Sequence, residues 1–506
     1  MCGILGFFSH KSTVSLHDFE QALCSVAYRG PDNQSVKTFE NGHLGHVRLA
    51  IIDLDKSSNQ PFSINSRYHV VFNGEIYNYQ EIKENLRNNY NVQFLTNSDT
   101  EVLLQAYRIF GEDCLQLLNG MFSFTIYDTQ ENKLFAARDR VGKKPFYYTN
   151  LNDSFIFSSE LKSLLPLLNE KPRLSYHSVN EFLSIGYIIA PGTIYEGIFK
   201  LEPGFHLTVD LNTLALKKQQ YWDPVKNKKD YKQSSVKSLI QNAIDIRYNS
   251  DVPVGIMLSG GLDSNIVLAL SRDKKPKTFT IKSENNEYNE AHLAKLSADY
   301  FGCENLSKIV HPDVTLIDKI IHHYDDPMSD SSAIPTFLLS KFIRSENYKC
   351  VLNGDGADEV LAGYDRYKML LLYKKFRFIR HFIPVVNFKN FRYKGFFYNL
   401  KKLKALLNEK DIEHAYAEQN IINKGFAGTL LKSFDCKKNI VNRLNALEIK
   451  GLNKFLIYDY KYYLADDLLV KMDRATMANS LESRSPFLDY RLAEVFLNVD
   501  FETKIS

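Results

Sequence analysis

The sequence predicts two unlike halves. The first is an α+β half of stacked antiparallel sheets, and the second an α/β half built on a doubly wound parallel sheet with helical insertions. Three observations predict this. Through the first 205 residues, short apolar runs alternate with polar turns at intervals of roughly eight to twelve residues, as in antiparallel sheets. Beyond residue 250, strand-like runs alternate with helical patterns, which implies parallel strands with ligands at their carboxyl ends. A chain of 506 residues also exceeds what one ordinary core fills. The halves are placed at 1–205 and 231–506, with a linker over 206–230 marked by Pro203-Gly204 and the polar run from Asn227 to Lys229.

Composition narrows the class. Hydrophobic content of 44% and charged content of 24% are those of a soluble globular protein. A net charge of +4 over this length gives no argument for nucleic acid. No apolar run reaches membrane-spanning length, and the start lacks a basic n-region, so neither a membrane span nor a signal peptide is indicated. Six scattered cysteines without a C-x-x-C pair argue against a disulfide framework and a zinc site, and for a reducing cytoplasm.

In the first half, Cys2 stands behind the initiator Met1. Removing Met1 would leave an α-amine on the thiol's own residue. With a reference pKa near 8, that amine can accept the thiol proton at neutral pH, the logic of an N-terminal nucleophile. In isolation the same residue reads as a small buried cysteine at a strand start. Tyr28-Arg29-Gly30-Pro31-Asp32 reads as a turn. Residues 45–53 read as a strand carrying Arg48, whose fork suits a substrate carboxylate. Residues 70–78 read as a strand ending in Asn73-Gly74-Glu75. The Asn amide and Gly N–H could form an oxyanion hole, although Asn-Gly is also a common hairpin turn. Ser98 or Asp99 caps a helix over 102–110. Asp139-Arg140 and the segment from Ser158 to Glu160 read as packing and turns.

In the second half, a buried strand over 254–257 leads through Ser259-Gly260-Gly261-Leu262-Asp263-Ser264 into a helix. Two glycines, two hydroxyls and a helix N-terminus make a phosphate cradle, without the Gly-Lys-Ser/Thr element of the Walker type. Asp263 in such a loop makes sense if Mg²⁺ travels with a nucleotide. Strands at 278–281, 307–311 and 350–352 alternate with helices at 290–300, 315–324 and 335–345. The last strand ends in Asn353-Gly354-Asp355-Gly356-Ala357-Asp358-Glu359, where three carboxylates beside two glycines call for a cation. Asp325-Asp326-Pro327 and the segment from Asp330 to Pro335 are assigned to an acceptor pocket, and Asp330 to Ser332 could equally cap the next helix. From Lys368 to Lys404 there are eleven Lys/Arg and no Asp/Glu, with aromatic residues interleaved; this reads as part of a helical insertion over about 366–452 with a basic solvated face. Lys471, among apolar neighbours, could neutralise a departing pyrophosphate; a surface lysine is the alternative.

These motifs together resemble the glutamine-hydrolysing asparagine synthetases of the class B type, over nearly the whole chain. The resemblance implies an N-terminal-nucleophile hydrolase sandwich (α-β-β-α) followed by an ATP-pyrophosphatase domain. By it, Cys2 attacks the glutamine amide, Arg48 takes the α-carboxylate, and Glu75 with Asp99 holds the amino end. Asn73 and Gly74 hold the oxyanion, while Leu49, Ile51 and Ile52 line the pocket. Met257, Ile281, Asn353 and Gly354 contact adenosine, beside the cradle residues Ser259, Gly260, Gly261, Asp263 and Ser264. Asp263 and Asp358 hold Mg²⁺, Asp355 lies near the acyl-adenylate, and Lys471 is the essential lysine. The implied partners are small molecules: glutamine, ATP and aspartate or another carboxylate, with a homodimer as the assembly considered. The family carries Ser-Gly-Glu where this chain has Asn353-Gly354-Asp355, so a rival acceptor such as a sugar acid stays open. The family also continues further past Asp489, which keeps open a glutaminase-only or non-catalytic scaffold.

Overall fold

Twelve strands build the first half. They are β1 (Gly3–Ser9), β2 (Asn33–Phe39), β3 (Gly42–Arg48), β4 (Phe62–Ile64), β5 (Tyr68–Ile76), β6 (Gly120–Asp128), β7 (Lys133–Arg138), β8 (Tyr147–Leu151), β9 (Ser154–Ser158), β10 (Ile198–Lys200), β11 (Phe205–Asp210) and β12 (Ala215–Gln220). They form two six-stranded antiparallel sheets, ordered β10-β8-β9-β1-β3-β2 and β12-β11-β7-β6-β5-β4. The computed structural model describes residues 2–11, 14–151, 153–229, 233–282, 290–311, 313–378, 404–423 and 435–505.

Strand β1 is buried throughout, with both of its faces covered. Ile4 and Phe8 point into the layer between the sheets, with Val71 and Leu134. Leu5 and Phe7 point the other way, onto Phe19 and Leu23 of the helix Leu16–Cys24, which Ser15 caps by accepting from the Asp18 N–H. The outer face of the second sheet packs Val70 and Phe72 against Val102 and Leu103 of the helix Asp99–Phe110. The result is the α-β-β-α sandwich expected, with the start of β1 held at its centre.

The linker assignment needs correction. The segment given to a linker from residue 206 contains β11 and β12; β11 pairs with β7, and Leu207 and Val209 are buried between the sheets. Pro203-Gly204 is a turn into this hairpin, with Gly204 at φ +72°, and not a domain end. Two strand assignments shift as well. The strand read over 45–53 stops at Arg48, and Asn73-Gly74 lies inside β5, paired with Ser123 and Phe122 of β6.

The second half is a five-stranded parallel sheet, β13 (Val254–Met257), β14 (Thr278–Lys282), β15 (Asn305–Ile309), β16 (Cys350–Leu352) and β17 (Glu482–Arg484), in the order β15-β14-β13-β16-β17. Strand order reverses beside β13, so the loops leaving β13 and β16 diverge around a crevice at their carboxyl ends, where open α/β sheets take ligands. Helices Asp365–Phe376 and Ile412–Asn420 bury Tyr367, Leu370 and Tyr416 in the same core as Ile256 and Leu352. That core also takes in Tyr187, Ile189 and Trp222 from the preceding half. Most of the basic stretch from Lys368 to Lys404 lies outside the described residues; of the described part, Lys374 pairs with Glu502 at 2.7 Å. No helix among the described residues is long and apolar enough to cross a membrane.

Candidate active sites

At the first site, pairing of β1 with β3 and packing of β1 on β5 bring Cys2 to Asn73. The Cys2 nitrogen donates to Asn73 Oδ1 at 3.2 Å, and Asn73 Nδ2 reaches Ser159 Oγ at 3.5 Å. Arg29 Nε holds the Cys2 carbonyl at 3.0 Å. Burial pushes the Cys2 thiol up from its ordinary pKa, while the chain's amine and the Leu49 N–H pull it down. Those two are the groups that could make it a nucleophile. At Gly74 an added Cβ would lie 2.1 Å from the Met121 carbonyl, so only glycine permits this approach of β5 to β6.

The other residues expected at this site, Arg48, Leu49, Ile51, Ile52, Glu75 and Asp99, are all buried. Leu49, Ile51 and Ile52 are buried, packing with Met121 and with Cys350 and Met477 of the other half. Glu75 is buried with Oε2 unpartnered; burial, then the nearby Glu482 and Asp99, push its carboxyl well above the usual range. Asp99 accepts from the Ile76 N–H at 3.0 Å and is pushed up to about 6, chiefly by burial. Arg484 NH2, 3.5 Å from Glu75 Oε1, draws both carboxyls down but does not offset their burial. Arg48, however, donates to the carbonyls of Asp55 (2.8 Å), Ile52 (3.4 Å) and Asp53, and to Asn59 Oδ1 (2.8 Å). In this structure its fork organises the loop after β3.

At the second site, a cavity of about 480 Å³ opens at the reversal point of the parallel sheet. Of the predicted residues, Met257, Ser259, Gly261, Asp263, Ser264, Ile281, Asn353, Gly354, Asp355, Asp358 and Lys471 line it, while Gly260 stands just outside the lining. The hydroxyls of Ser259 and Ser264 meet at 3.0 Å, and the Gly261 N–H donates to Ser259 Oγ at 3.1 Å. The Gly260 N–H donates to Glu290 Oε2 at 3.1 Å. A carboxylate here stands where a phosphate oxygen would accept. At Gly354 an added Cβ would come within 2.9 Å of the Ser264 nitrogen, so the two loops close on each other only with glycine.

The carboxylates of this cavity are poised for a cation. Burial, then Asp358 and Asp355, push Asp263 up to about 6; burial also raises Asp355 and Asp358. No cluster of three metal-ligating side chains occurs among the described residues. That donor set fits Mg²⁺, which takes one or two carboxylates and completes its shell from substrate phosphates. Lys471 is no surface lysine: only 9% exposed, it donates to Ser332 Oγ at 2.9 Å and lies 3.3 Å from Asp330 Oδ2. Asp325 and Asp326, assigned to the acceptor pocket with Asp330, instead pair with Arg474 at 3.5 Å and Lys200 at 3.0 Å. The reading missed Thr336, Leu339, Tyr364 and Met472, which also line the cavity. Tyr364, directly behind the acidic loop and donating to Glu359, had a usable signal in its position; the others look like helix core in sequence.

A buried ion-pair cluster joins the two sites; of its members, the sequence reading assigned Arg29 to a turn and Glu160 to packing and turns, and left Asp473 and Arg474 unassigned beside Lys471. Arg29 NH1 meets Glu160 at 2.6 Å and Asp473 at 2.8 Å; Arg474 NH1 meets Glu160 at 2.6 Å. Asp473 and Arg474 sit on the helix Leu469–Met477 that carries Lys471. A small cavity of about 20 Å³ lies beside this cluster, between Lys144 and Met472. Glu160→Gln is expected to destabilise the protein by about 3–5 kcal/mol at pH 7, since it leaves two buried guanidiniums under-compensated. The two arginines depress the Glu160 carboxyl below its unfolded value near 4.3 despite burial. Its contribution is thus complete above that unfolded value and is lost only as pH falls through the lower folded one. Denaturant titrations of both proteins at pH 7 and in acid check the cost and its sign.

Comparison with known proteins follows this division. Residues 1–222 match the family model described as a glutamine amidotransferase domain, and residues 235–506 match asparagine synthase. Asparagine synthetase [glutamine-hydrolyzing] 1 of Bacillus subtilis is 32% identical, aligning with 100% of this chain and 82% of its own length. A putative asparagine synthetase [glutamine-hydrolyzing] 2 of Methanocaldococcus jannaschii is 34% identical, over 94% of this chain and 98% of its own. Amidase chyE of Penicillium rubens is 27% identical, over 100% and 83%.

Proposed function

The chain belongs to the asparagine synthase family of ATP-dependent amidotransferase ligases, with a glutamine amidotransferase domain ahead of the synthase domain, and on that premise we propose that it converts aspartate to asparagine with glutamine as nitrogen donor. The observation that carries this reading is the pairing, in one chain, of a buried thiol at Cys2, one residue behind Met1 and held against Asn73, with a carboxylate-rich, glycine-lined cavity at Asp263 and Asp358.

At the first site, the Cys2 sulfur attacks the side-chain amide carbon of glutamine while the α-amine freed by loss of Met1 takes the thiol proton. Asn73 Nδ2 and the Gly74 N–H stabilise the oxyanion as the C–N bond breaks. The proton passes to the departing nitrogen, ammonia leaves, and water hydrolyses the thioester to glutamate. Glu75 and Asp99 hold the substrate ammonium, and Arg48 turns toward its α-carboxylate. At the second site, the segment Ser259 to Ser264 holds the phosphates, and Met257, Ile281 and Asn353 face the adenosine. Asp263 and Asp358 would hold Mg²⁺, which supplies charge neutralisation for the phosphates. A carboxylate oxygen of the acceptor attacks the α-phosphorus and pyrophosphate departs, its charge met by Lys471. Ammonia then displaces AMP, leaving the amide.

The acceptor is tested by incubating the protein with ATP, ¹⁵N-amide glutamine and aspartate. The expected products are ¹⁵N-labelled asparagine, glutamate, AMP and pyrophosphate in equal amounts. Pyrophosphate release that ignores aspartate would overturn the acceptor and favour another carboxylate, such as a sugar acid. The resemblance of the chain to an amidase keeps that rival worth the control.

A further inference from the structure

The helix Ala357–Leu361 ends abruptly, and the chain beyond it turns back on the helix's own first turn. Ala362 takes φ +63°, and the Gly363 N–H donates to the Asp358 carbonyl at 3.1 Å. This return lays Gly363 against the Asp358 side chain. A Cβ added at Gly363 would stand 1.8 Å from Asp358 Oδ1 and 2.9 Å from its Cγ, well inside van der Waals contact. Among the described residues, none donates a hydrogen bond to the Asp358 carboxylate. Its place in the lining of the nucleotide-sized cavity therefore depends on the room left at Gly363.

The backbone on the other side of this contact is held. Tyr364 donates its hydroxyl to Glu359. The Arg366 guanidinium lies 4.5 Å from the centre of the Tyr364 ring and pairs with Asp459 at 3.1 Å. Tyr463, on the π-helix Asp459–Leu468, meets the same ring edge-on at 6.1 Å. With the chain clamped on both sides of Tyr364, a methyl group at 363 displaces the free end of the carboxylate and not the backbone.

We propose that Gly363 is a positioning residue for metal binding, whose bare backbone seats the Asp358 carboxylate where it can share a cation with Asp263. This rests on the Mg²⁺–ATP reading of the cavity and names what sets the direction of one of its ligands. Mg²⁺ demands short bonds in near-ideal octahedral geometry, whereas Ca²⁺ accepts longer bonds and looser angles. A carboxylate pushed aside by a methyl group therefore costs Mg²⁺ much more than Ca²⁺. The same substitution bears on the fold with the opposite sign. Gly363 is exposed and lies outside the left-handed region, so alanine there restricts the unfolded chain without straining the folded one.

The full-length protein and Gly363→Ala are titrated by calorimetry with a non-hydrolysable ATP analogue in Mg²⁺, in Ca²⁺ and in EDTA. Gly363→Ala is expected to weaken binding about 10–100-fold in Mg²⁺, the usual cost of disturbing a group that orients a metal ligand. The loss should be about threefold or less in Ca²⁺ and absent in EDTA. Without metal, the thermal midpoint should stay level or rise. Asp358→Ala removes the atoms that the methyl group would strike, so adding Gly363→Ala to it should leave binding in Mg²⁺ as it is. The inference is overturned if Gly363→Ala binds in Mg²⁺ as the unsubstituted protein does. Equal losses in Mg²⁺, Ca²⁺ and EDTA, or a further loss in the Asp358→Ala background, would overturn it too. If binding by the unsubstituted protein ignores Mg²⁺, the nucleotide reading falls along with it.

Discussion

Cys2→Ala is expected to abolish glutamine-dependent amide formation, by about 10³-fold or more, the order lost with a covalent nucleophile. Amide formation from free ammonia should stay within about twofold. The reasoning is local. The thiol is the group proposed to bond the amide carbon, and Asn73 accepts the Cys2 N–H from a neighbouring strand rather than standing in the thiol's place. The substitution removes a single sulfur from the start of β1, whose packing depends on Ile4, Leu5, Phe7 and Phe8, so the second site is left standing. Pyrophosphate and amide are measured with glutamine and with ammonium chloride as alternative donors. Equal use of glutamine by both proteins would refute Cys2 as the nucleophile, and loss of ammonia-dependent activity would show that the substitution unfolds the chain.

The second site was legible in the sequence because it announces itself in two short runs. Ser259 to Ser264 needs its glycines and hydroxyls adjacent, and Asn353 to Asp358 needs its carboxylates adjacent; pattern and chemistry coincide. Both runs do line one cavity. What could not be read is what long-range packing decides. The hairpin at 205–220 looked like a linker because its outer strand, β12, is largely exposed and polar, so only pairing of β11 to β7 reveals it as sheet. Glu160 looked like a turn residue because its partners, Arg29 and Arg474, are 131 and 314 residues away. An arginine beside Gly30-Pro31 invited the argument applied to Arg48, that a buried guanidinium demands acceptors. Applied there, it would have flagged Arg29. For Arg48 the demand was real but is met in this structure by carbonyls of its own loop.

Lys471→Met is expected to lower pyrophosphate release by about 10²–10³-fold, the usual cost of removing one preorganised charge from a developing anion. Glutamine hydrolysis should persist. Methionine keeps the unbranched stem that packs in the helix Leu469–Met477, so the change is chiefly loss of the ammonium. That loss has a structural side. Lys471 is the main charge holding the Asp330 carboxyl below its usual range against burial, and without it Asp330 is left partly buried with no cation. A destabilisation of about 1–3 kcal/mol should accompany the single variant. The double variant Lys471→Met/Asp330→Asn separates the two effects, because it removes the stranded charge without replacing the missing one. Thermal unfolding should recover most of the lost stability in the double variant, while pyrophosphate release stays as low as in the single. Recovery of release along with stability would mean that Lys471 serves only to neutralise Asp330, and the leaving group would then have to be met by another group in the cavity.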